Sequence, residues 1–145
     1  MNTKIIQSLI SGVIGAAVMS IEMWVATMMG MPKMNPPDML SVMLGVPIIV
    51  GWLIHFMIGI IFAMAYTFFF INLVNKISNA IFRGAIFGVA VFIFAQIMLA
   101  ILGAIMEGTP PMEGSLLLIM LGSIIGHIIF GIVVALFVKE EIVVE

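Results

Sequence analysis

The chain contains no cysteine. Disulfides, thiolate nucleophiles, iron–sulfur ligation and thiolate metal sites are therefore excluded. Charge is almost as scarce. Lys, Arg, Asp and Glu make up 8% of 145 residues, against roughly 25% in soluble domains. The net charge of −2 offers no basic surface to a nucleic acid. There is no glycine-rich phosphate loop, no H-E-x-x-H pair and no serine beside a plausible base. There is no basic channel, no Arg-rich voltage-sensing helix, and too few carboxylates for the paired Glu-x-x-His motifs of a di-iron bundle. What is present is apolar side chain, 64% of the sequence. That composition is the composition of an integral membrane protein.

A spanning helix needs about 20 apolar residues. Four stretches meet this, at about 5–30, 46–73, 84–106 and 115–138. Lys4 followed by an apolar run looks like a signal peptide, but the run is too long and continues as a first span. The first loop carries Pro32, Pro36 and Pro37, and the third carries Pro110 and Pro111. Gly45 and Pro47 interrupt the apolar run after Pro37, so 38–44 reads as a short interfacial helix ahead of the second span. The whole chain, 1–145, reads as one transmembrane domain.

Four of the five basic residues (Lys4, Lys76, Arg83, Lys139) fall at the N-terminus, the second loop and the C-terminus. Lys33 alone falls on the other side. The positive-inside rule then places both termini in the cytoplasm and both Pro-Pro loops outside. An internal repeat runs through the same elements. Gly12/Gly84, Ile14/Ile86, Gly59/Gly131, Ile60/Ile132 and Ala63/Ala135 are each 72 positions apart (84 − 12). Each half, about 5–76 and 77–145, reads as helix, Pro-Pro loop, helix. Tandem two-span units keep one orientation, so the repeat is parallel, about an axis along the membrane normal.

His55 and His127 are the only two histidines, and they obey the same offset. An ionisable or ligating side chain in lipid is costly and marks a functional site by default. Gly51, His55 and Gly59 share one helix face, as do Ser123, His127 and Gly131. Small flanking residues admit a close neighbour. It can be another helix or a flat macrocycle held by two imidazoles. The plain alternative is a histidine hydrogen-bonded across a helix interface.

Glu22 is the only carboxylate within a span, and Gln96 lies in the third span. Each of the four spans thus carries one strongly polar residue, Glu22, His55, Gln96 or His127, and a converging cluster is expected. Glu22 and Gln96 are candidates for a proton site or for support behind the histidines; Glu22 is also a candidate metal ligand. A protonated Glu22 bonded across helices is the plain alternative. Fifteen methionines complete the inventory. Met28, Met31 and Met34 belong to a group crowding the first Pro-Pro loop, and thioethers select Cu(I). Methionine is equally a flexible apolar filler.

One histidine on the second span and one on the fourth, each beside small residues, resembles four-helix membrane b-type cytochromes. That resemblance implies haem b with His55 and His127 as axial ligands. Gly51, Gly59, Ser123 and Gly131 would line the haem faces, and electron transfer would be the activity. This chain departs from many such proteins in having one histidine pair rather than two, with Lys33 the only base on the outer side for propionates. NPPDML and GWLIHF also resemble small uncharacterised four-span bacterial membrane proteins. The expected fold is all-α, a membrane four-helix bundle of two tandem two-helix repeats, with short helices at the outer Pro-Pro loops. The expected setting is the cytoplasmic membrane of a bacterium or archaeon. Expected partners are the lipid bilayer, a quinone or another redox partner, and further copies of the chain. Two other functions stay open: copper handling or transport along a Glu/His/Met path, and a non-catalytic assembly subunit.

Overall fold

The computed structural model describes residues 3–105 and 113–138. Pro110 and Pro111, with the short helix expected there, and Lys139 lie outside the described residues. The described chain is all helix. The elements are α1 (Thr3–Met28), α2 (Pro36–Leu44), α3 (Ile48–Leu73), α4 (Ala80–Ile105) and α5 (Leu116–Phe137). α1, α3, α4 and α5 are long and apolar enough to cross a membrane. At 26 residues, α1, α3 and α4 each reach about 39 Å, beyond the roughly 30 Å hydrocarbon core. The protein is a multi-pass membrane four-helix bundle.

Local chemistry sets the helix ends. α2 begins two residues before the expected 38–44. Asn35 caps it by accepting from the Asp38 N–H at 3.4 Å, and Pro36 and Pro37 fill the first turn. There a missing N–H removes no helical bond. Gly45 ends α2 in the left-handed conformation, φ 64°, and its N–H reaches the Ser41 and Val42 carbonyls. α4 begins at Ala80 rather than at 84, because the Asn79 side chain accepts from the Phe82 N–H at 3.1 Å. Arg83, expected in a loop, is therefore in the first turn of α4 and is buried. α3 is not uniform: Tyr66–Phe70 is a π-helical turn. Beside it, the Ser8 and Thr67 hydroxyls hydrogen-bond at 2.9 Å, and each also reaches a carbonyl of its own helix, Lys4 and Ala63, at 2.8 Å. Hydroxyls thus tie α1 to α3 where the ladder changes pitch.

α1 packs against both α3 and α5, α4 packs against α5, and α2 lies on α3. Among the described residues, α3 and α4 make little backbone contact. The spans therefore stand in a ring with α3 and α5 on one diagonal. The tightest places are two glycine crossings. A Cβ on Gly12 would lie 2.6 Å from Ile60 Cα and 2.8 Å from the Gly59 carbonyl. A Cβ on Gly84 would lie 2.5 Å from Ile132 Cα and 2.6 Å from the Gly131 carbonyl. Every member of the second crossing is 72 positions beyond its twin in the first. Lipid tails are as apolar as leucine, so close backbone approach of this kind is what holds such helices together.

The two-fold likeness stops at the other two sides of the ring. α1 and α5 close on glycines: a Cβ on Gly15 would meet the Phe130 ring at 2.8 Å, and one on Gly126 would meet Met23 Cε at 2.9 Å. The positions 72 away from Gly15 and Gly126 are Phe87 and Ile54. Bulk stands where the first side has none. Among the described residues α3 and α4 meet through rings, Phe62 on Phe94 at 5.6 Å and Tyr66 and Phe70 on Phe87, both at 5.0 Å. The gap between them is a cavity.

Candidate functional site

The cavity has a volume of about 760 Å³, within the 300–1,000 Å³ typical of ligand pockets. Its walls come from all four spans and from α2. Lys33, Asp38 and Glu113 border its α2 end. At the opposite end Phe130 packs on Phe87 at 6.5 Å, and Phe87 in turn packs on Tyr66 and Phe70, both at 5.0 Å. Phe130 closes that end as its floor, with Phe87, Tyr66 and Phe70 stacked behind it. Methionines supply much of the wall: Met19 and Met23 from α1, Met34, Met39 and Met43 from around α2, Met98 from α4 and Met120 from α5.

Both histidines reach this one cavity, His55 from α3 and His127 from the diagonal helix α5. Ser123 and Gln96 line it too. Their surroundings differ. His127 donates its Nδ1–H to the Ser123 carbonyl at 2.7 Å. A carbonyl can only accept, so the neutral ring carries its lone pair on Nε2. Phe92 of α4 meets the same ring edge-on at 5.7 Å. His55, 7% exposed, places Nε2 3.1 Å from Ser20 Oγ on α1. Ser20 donates its one proton to the Ala16 carbonyl at 2.9 Å. With that proton so directed, the Ser20 oxygen is left to accept from His55 Nε2, and the ring's tautomer is assigned on that ground; the Ala16 carbonyl is also a partner of His55. Ser20 and Phe92 are themselves 72 positions apart. The repeat places equivalent residues against the two histidines, and only one of them forms a hydrogen bond.

The remaining expected residues divide. Gly51 meets the Pro37 carbonyl and Ser41 Cβ, which lets α2 lie flat on α3. Gly131 faces the Gly84 carbonyl and Gly88 in the α4–α5 crossing. Neither lines the cavity; both are occupied by neighbouring backbone. Gly59 touches Gly12 and Ala16 and also borders the cavity. Glu22 does not join the cluster. Its Oε2 is buried at the α1–α5 seam, 3.1 Å from where a Gly126 Cβ would be, with no hydrogen-bond partner among the described residues. Glu22 is not among the cavity walls, although Met19 and Met23, which close on Gly126 beside it, are. The three methionines do not act together. Met28 is 68% exposed, whereas Met31 and Met34 fold over Gly122 and only Met34 enters the cavity wall. Among the described residues no three His, Asp or Glu side chains gather as a metal site.

Ser20 escaped the sequence reading. The signal was available: shifted by 72, it aligns with Phe92, each one helix away from a histidine. The aromatic stack also went unread, because Phe87 and Phe130 look like any lipid-facing phenylalanine in a uniformly apolar helix.

No curated protein and no solved structure matches the chain. Residues 2–140 match the model of a family of unknown function, DUF6789, and the chain belongs to that family.

Proposed function

We propose that this protein binds haem b in the cavity between α3 and α4, using His127 and His55, and transfers electrons at the outer face of a bacterial or archaeal cytoplasmic membrane. The observation that carries the reading is that the chain's only two histidines line one cavity from diagonal helices. The donor chemistry fits the group. His127 holds its ring by Nδ1 and leaves Nε2 as a lone-pair donor, the arrangement a carbonyl partner gives a metal-ligating imidazole. The walls are largely apolar, and Lys33, Asp38 and Glu113 stand together at the mouth. His55 reaches the cavity but must give up Ser20 to ligate, a hydrogen bond worth about 1 kcal/mol. Bound haem supplies one-electron chemistry. The chain's own part is to ligate, to orient through Ser123 and to seal the inner side with the Phe130–Phe87–Tyr66 stack. Lys4, Lys76 and Arg83 lie at the end away from α2, so the cavity mouth faces outward by the positive-inside rule. A quinone of the outer leaflet or another redox partner would meet it there.

The test is the visible spectrum of protein purified after haem-replete expression. A Soret band with sharp reduced α and β bands is expected, and the double variant His55→Ala/His127→Ala should be colourless. A colourless wild type, or a double variant that keeps its haem, overturns the proposal.

A further inference from the structure

Resting on the haem reading above, we infer that the two histidines are unequal ligands. His127 is the resident ligand, and His55, which Ser20 holds back, is an exchangeable one that a small neutral donor molecule entering from the cavity can displace.

The inequality lies in hydrogen bonds. Nε2 is the nitrogen that an imidazole on a helix extends furthest from the backbone. In His127 that nitrogen has no hydrogen-bond partner among the described residues, and Nδ1 makes the bond to Ser123. In His55 the same nitrogen is engaged by Ser20, and we assign it the ring proton because the Ser20 proton is directed to the Ala16 carbonyl. A protonated nitrogen has no lone pair to offer. For His55 to ligate through Nε2, it must break from Ser20 and move its proton to Nδ1. The structure gives no such obstacle to His127, whose neighbour at the Ser20-equivalent position is Phe92, a ring that can neither accept nor donate in the plane of the imidazole. Sequence symmetry would make the pair equal; one serine against one phenylalanine makes it unequal. Ser20 is thus a positioning residue acting through His55.

The cavity also has room for a third party. It extends along both histidines to the α2 end, where Lys33, Asp38 and Glu113 border the mouth. A small neutral molecule that binds ferrous iron has an open route and meets one labile competitor, His55.

The experiment uses the full chain in detergent micelles, loaded with haem, reduced, and titrated with carbon monoxide. Wild type should bind carbon monoxide. Ser20→Ala removes the hydroxyl that engages His55 Nε2 and leaves the Ala16 carbonyl as its remaining partner; His55 competes better, and carbon monoxide affinity should fall about fivefold, the effect of removing one hydrogen bond. Ser20→Thr keeps the hydroxyl and should behave as wild type. His55→Ala should keep its haem, and His127→Ala should lose it. Equal affinity in wild type and Ser20→Ala, refusal of carbon monoxide by wild type, or equal haem loss from His55→Ala and His127→Ala would overturn the inequality. Failure of wild type to take up haem at all is a different result and overturns the haem reading with it. The unloaded protein, 15N-labelled at histidine, gives a readout independent of haem: nuclear magnetic resonance should find the proton on Nδ1 of His127 and on Nε2 of His55. The same tautomer at both positions would overturn the inference.

Discussion

Alanine at Gly84 should loosen this protein far more than alanine at Gly122. Both glycines are buried in apolar helices, and the substitution adds the same methyl group. What the methyl meets is different. At Gly84 the new Cβ would lie 2.5 Å from Ile132 Cα and 2.6 Å from the Gly131 carbonyl, both backbone atoms of α5. Carbon atoms rest at about 3.5–4.0 Å, so α4 and α5 must part by roughly 1 Å. A gap of that size forfeits a quarter to a half of each dispersion contact along the seam, and overpacking in a tight core costs about 1–3 kcal/mol. At Gly122 the obstacle is the end of Met34, its methyl and sulfur. Three rotatable bonds let that side chain swing aside. Alanine favours the helix by up to about 1 kcal/mol over glycine at either site, so this gain cancels in the comparison. The difference between the two variants should be about 1–3 kcal/mol, with Gly122→Ala neutral or slightly stabilising. Gly12→Ala should track Gly84→Ala, since its Cβ would also strike backbone, Ile60 Cα at 2.6 Å. The assay is reversible unfolding in mixed micelles, read by far-ultraviolet circular dichroism. A Gly122→Ala variant as unstable as Gly84→Ala would refute the reasoning, because glycine itself, rather than what faces it, would then matter.

Three further outcomes are expected. Glu22→Gln should take up haem as wild type does, because the carboxyl lies in the α1–α5 seam and not in the cavity wall; loss of haem with the fold intact would point to a His-His-Glu site instead. Phe87→Ala removes the ring stacked behind the Phe130 floor, and should cost about 1–3 kcal/mol, less than in a soluble core, because lipid leaves the cavity cost but little transfer cost; a silent substitution in the same unfolding assay would show that the stack does not support the floor. Single cysteines, clean probes in a chain without native ones, should report sidedness: Met29→Cys should react with an impermeant thiol reagent from outside and Ser78→Cys should not, and the reverse labelling would invert the topology.

Much of the fold was legible because membrane helices announce themselves by length and apolarity, and because Asn, Pro and Gly mark helix ends by local chemistry. The short helix ahead of Gly45 and Pro47 followed from those two residues, although it starts at Pro36 and not at 38. The offset of 72 was also legible, and it returns as two glycine crossings with matching partners. Arg83 was misplaced because an Asn79 cap, a single hydrogen bond, extends α4 backwards.

The site was legible only in outline. A sequence with a period of 3.6 says which residues share a face, so His55 could be grouped with Gly51 and Gly59. It does not say which neighbour that face meets. In a helix that is apolar all round, no amphipathic stripe points inward, and orientation is left to packing. The tertiary structure decided it through the glycine contacts. They turn Gly51 and Gly131 onto neighbouring backbone, close α1 on α5 around Glu22, and leave α3 and α4 apart where Phe87 and Ile54 replace Gly15 and Gly126. The sequence by itself determined the four spans, the extra helix and the pairing of the histidines. That the histidines share a cavity, that Glu22 does not reach it, and that Ser20 engages only one of them depend on distances of about 3 Å between different helices, which no one-dimensional pattern encodes.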